Sequence, residues 1–421
     1  MAGNWRSSTW GDEVTFEYGK ALRGHDGSRG RYRVFGSNGP IGWTDTPLVP
    51  GPGVILGRKG AYRGVRFSTG PFFVIDTAYY LVPKSEHLDM RWLYYAVQYY
   101  KLGEIDDGSP IPSTTRAAVS VLEVLVPPLN EQRAIAHILG TLDDKIELNR
   151  RMNETLEEMA RALFKSWFVD FDPVRRKAEG RDPGLPKHLA DLFPSRFVDS
   201  ELGEIPEGWG THQLTDLLTL DKGLSYKGQF LTDVGLPMVN LGCFLGNGRF
   251  SPSALKPYSG EHKPRHVVQP GDLVIANTDI TQKRTVIGSP GIVPKLIGCS
   301  GGIFSHHVFA ARFKEGCGEW RDFTFHLLLQ PVFRERAMGF ATGTTVLALP
   351  REAVLDLPSV VPPPALLCAF TKFSAECMGR QWQLHEEEAT LASLRDALLP
   401  KLISGELRVK DADRFLAKVT A

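Results

Sequence analysis

The chain has 421 residues, 42 % of them apolar and 23 % charged, and a formal net charge of +1. Such a length predicts two or more hydrophobic cores, and a charge so close to balance does not by itself point to nucleic acid, because a compact DNA-binding domain is often strongly basic. Charged residues interrupt every apolar run that could cross a bilayer, residues 1–10 carry no secretory-type apolar stretch, and Cys243, Cys299, Cys317, Cys368 and Cys377 form no C-x-x-C pair; a membrane span, a disulfide framework and a zinc ribbon are not expected, and reduced thiols in a cytoplasmic protein are.

From the N-terminus, residues 32–35, 53–56, 65–67 and 72–75 are short apolar or alternating runs that predict strands, punctuated by Gly, Pro and Asn at 36–40 and 50–53. A helical pattern follows at 90–100. After Pro127 and Pro128, Asn130 is expected to cap a long helix, with Glu131 in a first turn where the helix dipole favours a carboxylate. Along it Ile135, Leu142, Leu156 and Leu163 recur at one heptad position, interrupted by Asn149, and Ile138, Met152 and Met159 at the other. This is a coiled-coil-like stripe, and a helix of roughly 40 residues would be about 60 Å long. The stretch after Asp172, with Pro173, Pro183, Pro186, Pro194 and Pro206, reads as a crossing linker. Beyond it, strands are expected at 238–241, 273–276, 286–288 and 308–311, a helix near 320–329, and a second stripe through Phe370, Cys377, Leu384, Leu391 and Leu398 beside Phe373 and Leu394.

These two series are one plan used twice. Residues 108–171 align without gaps onto 343–406: Arg116 meets Arg351, Leu122 meets Leu357, Val126-Pro127-Pro128 meets Val361-Pro362-Pro363, and Ala162-Leu163 meets Ala397-Leu398. Upstream, Asp12, Thr15 and Gly19 meet Asp216, Thr219 and Gly223. The period is too long for a solenoid and indicates a tandem pair of units. Two stripes in matching register, each closing a repeat, favour packing of the helices on each other.

Catalytic motifs are not evident. There is no G-x-x-x-x-G-K-[ST] phosphate loop and no D-P-P-[YF] or N-P-P-[YF]; Phe244 to Gly248 has an F-x-G-x-G form without the context a methyltransferase needs, Glu261-His262-Lys263 lacks a nuclease partner acid, and the adjacent His306 and His307 would point to opposite faces of a strand. No metal site is expected. What does recur is a basic, amide-rich loop set. The first copy has Arg23, Arg29, Arg31, Arg33, Ser37, Asn38, Arg58, Lys59, Tyr62, Arg63 and Arg66; the second has Lys256, His262, Lys263, Arg265, His266, Asn277, Thr278, Thr281, Gln282, Lys283 and Arg284. Cations can hold phosphates, while Arg, Asn and Gln can read base edges. One such cluster is also what a solvated face looks like; its presence in both copies favours duplex recognition.

The run Val126 to Arg133 (V-P-P-L-N-E-Q-R), followed by Leu142-Asp143-Asp144-Lys145-Ile146, resembles the opening of the central helical region of type I restriction–modification specificity subunits. The run Leu163 to Pro173 resembles that region's exit, Leu202 to Trp209 the lead-in to a target-recognition domain, and Leu399 to Leu407 the end of the second helical region. Phe35 to Gly39 and Gly57 to Gly60 resemble loops of the family's recognition domains. Copy one lacks the Pro-x-Gly-Trp lead-in, and copy two has Pro364-Ala365-Leu366-Leu367 where Asn-Glu-Gln is usual.

The resemblance implies a mixed α+β architecture: two tandem α/β target-recognition domains separated by two long antiparallel coiled-coil helices, a duplicated, pseudo-two-fold plan. Its expected layout is a first recognition domain at 1–128, a central helix at 129–171, a linker at 172–205, a second recognition domain at 206–363, a second helix at 364–407 and a tail at 408–421. It implies a non-catalytic, cytoplasmic subunit that reads a bipartite site in double-stranded DNA. Two methyltransferase subunits would bring S-adenosylmethionine, and two restriction subunits ATP and Mg; no cofactor belongs to this chain. Asp143, Asp144, Glu147, Arg150, Arg151 and Glu154 are the candidate subunit contacts, with Glu157 and Glu158 on the same helix. A coiled-coil scaffold that binds only protein, or a self-sufficient DNA methyltransferase, are the alternatives.

Overall fold

The computed structural model describes residues 5–24, 30–106, 108, 112–280, 285–295, 301–343 and 346–409. It divides into two compact units, residues 1–150 with 385–421, and residues 151–384.

In the first unit β1 (Arg6–Thr9) leads through a one-turn α1 (Trp10–Glu13) into β2 (Val14–Tyr18). The Thr9 side chain caps α1 by accepting from the Asp12 amide. There follow β3 (Tyr32–Gly36), β4 (Gly39–Thr44), β5 (Gly53–Gly57), β6 (Val65–Ser68), β7 (Phe72–Val74), β8 (Ala78–Pro83), α2 (Met90–Tyr99), α3 (Arg116–Ser120), β9 (Glu123–Val126) and the long α4 (Leu129–Phe168). The strands make an antiparallel sheet ordered β2-β8-β5-β6, a smaller sheet β4-β3-β7, and the pair β1-β9. Asp89 accepts from the Arg91 and Trp92 amides to start α2, whose Trp92, Leu93 and Tyr95 pack with Trp10, Leu56, Tyr79, Ile135 and Leu139.

In the second unit α5 (Asp172–Ala178), α6 (Lys187–Ala190) and the hairpin β10 (Phe197–Ser200)–β11 (Gly203–Pro206) precede β12 (Gly210–Gln213), α7 (Leu214–Leu217) and β13 (Leu218–Lys222). Then come β14 (Leu231–Val239), β15 (Lys256–Tyr258), β16 (Val267–Val268), β17 (Leu273–Ala276), β18 (Thr278–Asp279), β19 (Pro290–Ile292), β20 (Gly302–Phe304), β21 (Val308–Phe313), α8 (Trp320–Leu328), α9 (Pro331–Phe340), β22 (Leu347–Ala348), α10 (Glu352–Leu355), β23 (Pro358–Val361) and α11 (Pro364–Ile403). Its sheets repeat those of the first unit: β13-β21-β17-β19 for β2-β8-β5-β6, β15-β14-β20 for β4-β3-β7, and β12-β23 for β1-β9. The repeat extends to single residues. Tyr18 pairs with Tyr79, and Lys222 with Phe309. Gly19 and Gly223 occupy one position, where an added Cβ would lie 2.1 Å from the Ile75 carbonyl oxygen in one copy and 2.3 Å from that of Ser305 in the other.

Three expectations change. The stretch after Asp172 is a folded connector rather than an extended linker, because Val174, Phe193 and Ile205 bury against Phe164, Phe168 and Trp209. Residues 286–288 form a turn, not a strand, since Asp279 Oδ2 takes the amides of Val286 and Ile287 at 2.7 and 3.1 Å. Asn130 lies inside the first turn of α4: the carbonyl that opens the helix is that of Pro128, which accepts from Gln132 at 3.0 Å. Pro363 does the same for Leu367 at the start of α11.

The helix stripes also differ in part. Ile135, Leu142, Asn149, Leu156 and Leu163 form one buried or half-buried row of α4, but the second is Leu139, Ile146, Asn153, Ala160 and Trp167, while Met159 is 48 % exposed. On α11 the row Phe370, Cys377, Leu384, Leu391 and Leu398 faces inward beside a second row through Ser374, Gln381, Glu388 and Arg395. The helices run antiparallel within each unit. In the first, Arg395 meets Asp143 and Glu387 meets Asn149; in the second, Gln381 donates to the Asn153 carbonyl and Phe370 packs on Phe164.

Candidate nucleic-acid interface

The loop leaving β5 closes on itself, with Gly57 donating to the Gly64 carbonyl at 2.9 Å, and Gly64 donating to the Ser37 carbonyl at 2.8 Å. The β3–β4 turn and the 58–64 loop therefore lie side by side. Ser37 Oγ donates to the Thr77 carbonyl at 2.7 Å, so this side chain is a latch inside the fold. Arg58 Nη1 donates to the Asp76 carbonyl at 2.8 Å, and its guanidinium sits 4.9 Å from the Tyr18 ring. Burial and the Tyr18 hydroxyl push the Tyr79 phenol up to about 12, against the pull of Arg58. Arg63 is also engaged internally, donating to the Gly103 carbonyl at 2.7 Å and to that of Gly60 at 3.4 Å. Lys59, Asn38, Tyr62, Arg31 and Arg33 are the exposed members. Arg33 lies 4.2 Å over the Trp43 ring and Arg31 5.7 Å from that of Tyr32. Arg66, also exposed, donates to the Asn38 carbonyl at 3.1 Å, and Arg23 is exposed.

The second unit builds the same corner. Ala276 donates to the Ser289 carbonyl at 3.0 Å, as Gly57 does to Gly64. Asn277 stands where Arg58 does: its amide donates to the His307 carbonyl at 3.0 Å, as Arg58's does to Thr77, and its side-chain Nδ2 donates to the His306 carbonyl at 3.1 Å, as Arg58 Nη1 does to Asp76. Asn277 is buried, so the structure uses it to hold the strand end. Thr278 Oγ1 lies 2.8 Å from His307 Nδ1. Burial first, then His306 and Lys222, lower the His307 pKa, which keeps that ring neutral. Lys256, His262, Lys263 and Arg265 are exposed, and the Arg265 Nε lies 3.3 Å from Nε2 of the buried His266. Arg29, Thr281, Gln282, Lys283 and Arg284 lie outside the described residues.

The candidate partner contacts divide likewise. Asp143 takes Arg395 at 2.9 Å and the Tyr95 hydroxyl at 2.6 Å, and Asp144 takes both Arg91 nitrogens at 2.5 and 2.9 Å, so these two join α4 to its own unit. Arg150 faces Glu388 at 3.9 Å. Glu147, Arg150, Arg151, Glu154 and Glu158 are exposed, and Glu157, half-buried, pairs with Arg161.

Two structural residues went unread in the sequence. Gln132, buried, accepts from the Asp89 amide at 2.8 Å and donates to the His87 and Pro127 carbonyls at 2.9 Å, bracing the start of α4 against the segment that leads into α2. Its place in the Asn-Glu-Gln run was the available signal. Arg312 binds Asp221 and Asp272 at 3.1 Å each, a hub that nothing in its local sequence distinguishes. Among the described residues no cluster of His, Cys, Asp or Glu could hold a metal ion, and no helix is long and apolar enough to cross a membrane.

A family model described as the type I restriction modification DNA specificity domain matches residues 5–158. The HindI specificity subunit of Haemophilus influenzae is 26 % identical over 366 residues, 74 % of each chain. The MjaIX specificity subunit of Methanocaldococcus jannaschii is 23 % identical over 376 residues, 86 % of this chain and 79 % of that protein. The crystal structure of the type I system S subunit from M. genitalium aligns with a TM-score of 0.58 at 16 % identity, covering 95 % of this chain and 96 % of that one, a likeness of fold. In its duplicated mixed fold, its paired long helices and its sequence, the chain is similar to the specificity subunits of type I restriction–modification systems.

Proposed function

We propose that the chain is such a specificity subunit, that each of its units reads one half of a split site in double-stranded DNA, and that the chain itself performs no chemistry. The observation that carries the reading is the repeated corner after β5 and β17, built with the same hydrogen bonds in both copies and bordered by cations and amides. Two copies of one reader on one chain suit two half-sites, as half-site spacing follows protein symmetry in dimeric readers. In the first copy Lys59, Arg31 and Arg33 are exposed, and in this reading they hold phosphates while Asn38 reads an adenine edge. In the second, Lys263 and Arg265 serve as phosphate contacts, with Thr281, Lys283 and Arg284 as further candidates. Arg58, Ser37, Arg63, Asn277 and Thr278 act one step back, shaping the loops that carry these groups.

Two continuous helices of 40 residues each suit a spacer of fixed length and a docking surface for partners. The partners in this reading are two methyltransferase subunits, which bring S-adenosylmethionine and extrude the target adenine before methyl transfer, and two restriction subunits, which bring ATP and Mg. The exposed Glu147, Arg150, Arg151 and Glu154 are the candidate contacts on α4. Salt-controlled titration of the co-purified specificity–methyltransferase complex with duplex DNA tests the reading: affinity falls linearly in log–log form with salt, steeply for several phosphate contacts. A complex that assembles but binds no duplex at any salt would favour a protein-only scaffold.

A further inference from the structure

In each copy the loop that leaves the middle strand of the larger sheet exposes one large apolar side chain. It is Tyr62 after β5, 77 % exposed, and Ile280 beyond β17 and directly after β18, 65 % exposed. Apolar side chains exposed singly are ordinary on a protein surface; what sets Tyr62 apart is a flat ring in a basic loop at the rim of a depression. Its surroundings specify a partner. Tyr62 borders an open depression of about 410 Å³, together with Asn38, Arg63 and Glu104. The Glu104 carboxylate, with Lys101 Nζ at 3.5 Å, is an acceptor and no phosphate ligand, and the Arg63 guanidinium is already committed to the Gly103 and Gly60 carbonyls. What remains is a ring for stacking, an amide, and a carboxylate that can accept from an exocyclic amine. This set suits a base and not the backbone.

We infer that Tyr62 is a stacking wedge: on duplex binding its ring enters a base step and packs on a base whose edge faces Asn38 and Glu104. Side chains of this kind partly unstack a step and kink the duplex. The inference rests on the DNA-recognition reading above and assigns a role to one loop of it.

The test uses the specificity–methyltransferase complex and duplexes carrying 2-aminopurine in turn at each adenine of the motif other than those that are methylated and extruded. The wild type and Tyr62→Phe should give a fluorescence rise confined to one step. Tyr62→Ala should lose that rise and bind about tenfold more weakly, with an unchanged salt slope, whereas Lys59→Ala should lower the slope. A Tyr62→Ala complex that keeps both the rise and the affinity overturns the wedge, and so does a Tyr62→Phe complex as impaired as Tyr62→Ala, which would make the hydroxyl the contact. A wild-type complex that binds no duplex overturns the reading beneath it instead.

Discussion

Asp143 and Arg395 form an ion pair at 2.9 Å in the first unit, and the other oxygen of the same carboxylate receives the Tyr95 hydroxyl at 2.6 Å. One residue of α4 thereby ties together α11 and α2, the helix that packs on the larger sheet of the first unit. Burial first, then the Asp143 hydrogen bond, raise the Tyr95 pKa, so its hydroxyl stays a donor at neutral pH. Both charged partners remain partly exposed, which screens their attraction. Asp143→Ala should lower stability by about 1–2 kcal/mol and Tyr95→Phe by about 1 kcal/mol in chemical denaturation. Capture of the methyltransferase subunit by Asp143→Ala should weaken no further than this loss of folded protein; a larger defect in a fully folded variant would make Asp143 a direct contact.

Arg58 and Lys59 are adjacent, yet they should fail differently. Arg58 holds the Asp76 carbonyl, whereas Lys59 is exposed. Arg58→Ala should lower the melting midpoint, by roughly 1 kcal/mol of stability. Lys59→Ala should leave the midpoint alone and reduce the log–log salt slope of DNA binding by about 1. The reverse pattern would exchange their roles.

The His326 ring is buried in the second unit, packed between Phe164 at 5.7 Å and Phe370 at 5.3 Å, with Ser374 Oγ 3.4 Å from its Nε2. Burial, aided by Arg161, pushes its pKa down to about 3. The unfolded chain takes up this proton near pH 6.5 and the folded chain does not, so the stability is present above that pH and is lost as the pH falls toward 3. By pH 5 the loss should reach on the order of 2 kcal/mol. His326→Phe should flatten the melting midpoint between pH 7 and 5 relative to the wild type; an equal slope in both would remove His326 as the source.

Asn149 is fully buried in the seam between α4 and α11, where its Nδ2 donates to Glu387 at 3.0 Å while Lys145 pairs with the same carboxylate at 3.3 Å. A polar residue at such a position lowers helix-pair stability and fixes alignment. Asn149→Leu should therefore raise the denaturation midpoint, by about 1 kcal/mol. A lowered midpoint would show that the Asn149–Glu387 hydrogen bond outweighs the burial gained.

Much of this architecture could be read from the residues, for identifiable reasons. The duplication was visible because the matched segments 108–171 and 343–406 keep their spacing, and the strand at 273–276 because all four of its residues are apolar and buried. The second row of the helix stripe was misread because it passes through Asn153, Ala160, Ser374, Gln381 and Glu388, which carry no apolar signal, while the exposed Met159 does. The recognition loops were legible as loops but not as roles. Arg58, Arg63 and Asn277 have the composition of base or phosphate readers, and only their hydrogen bonds to main-chain carbonyls distinguish a brace from a contact. Asp143 and Asp144 read in sequence as candidate subunit contacts, and only the fold brings Tyr95, Arg395 and Arg91 opposite them.

In the proposed function this chain selects a split DNA sequence for a methyltransferase carried on another subunit. Co-expression with a type I methyltransferase subunit from the same genome, followed by mapping of methylated adenines across the host chromosome, tests it most directly. The account predicts one motif of two short half-sites at a constant gap, absent when either protein is expressed alone. Methylation by this chain alone, or a stable complex that leaves the chromosome without any sequence-specific mark, would contradict it.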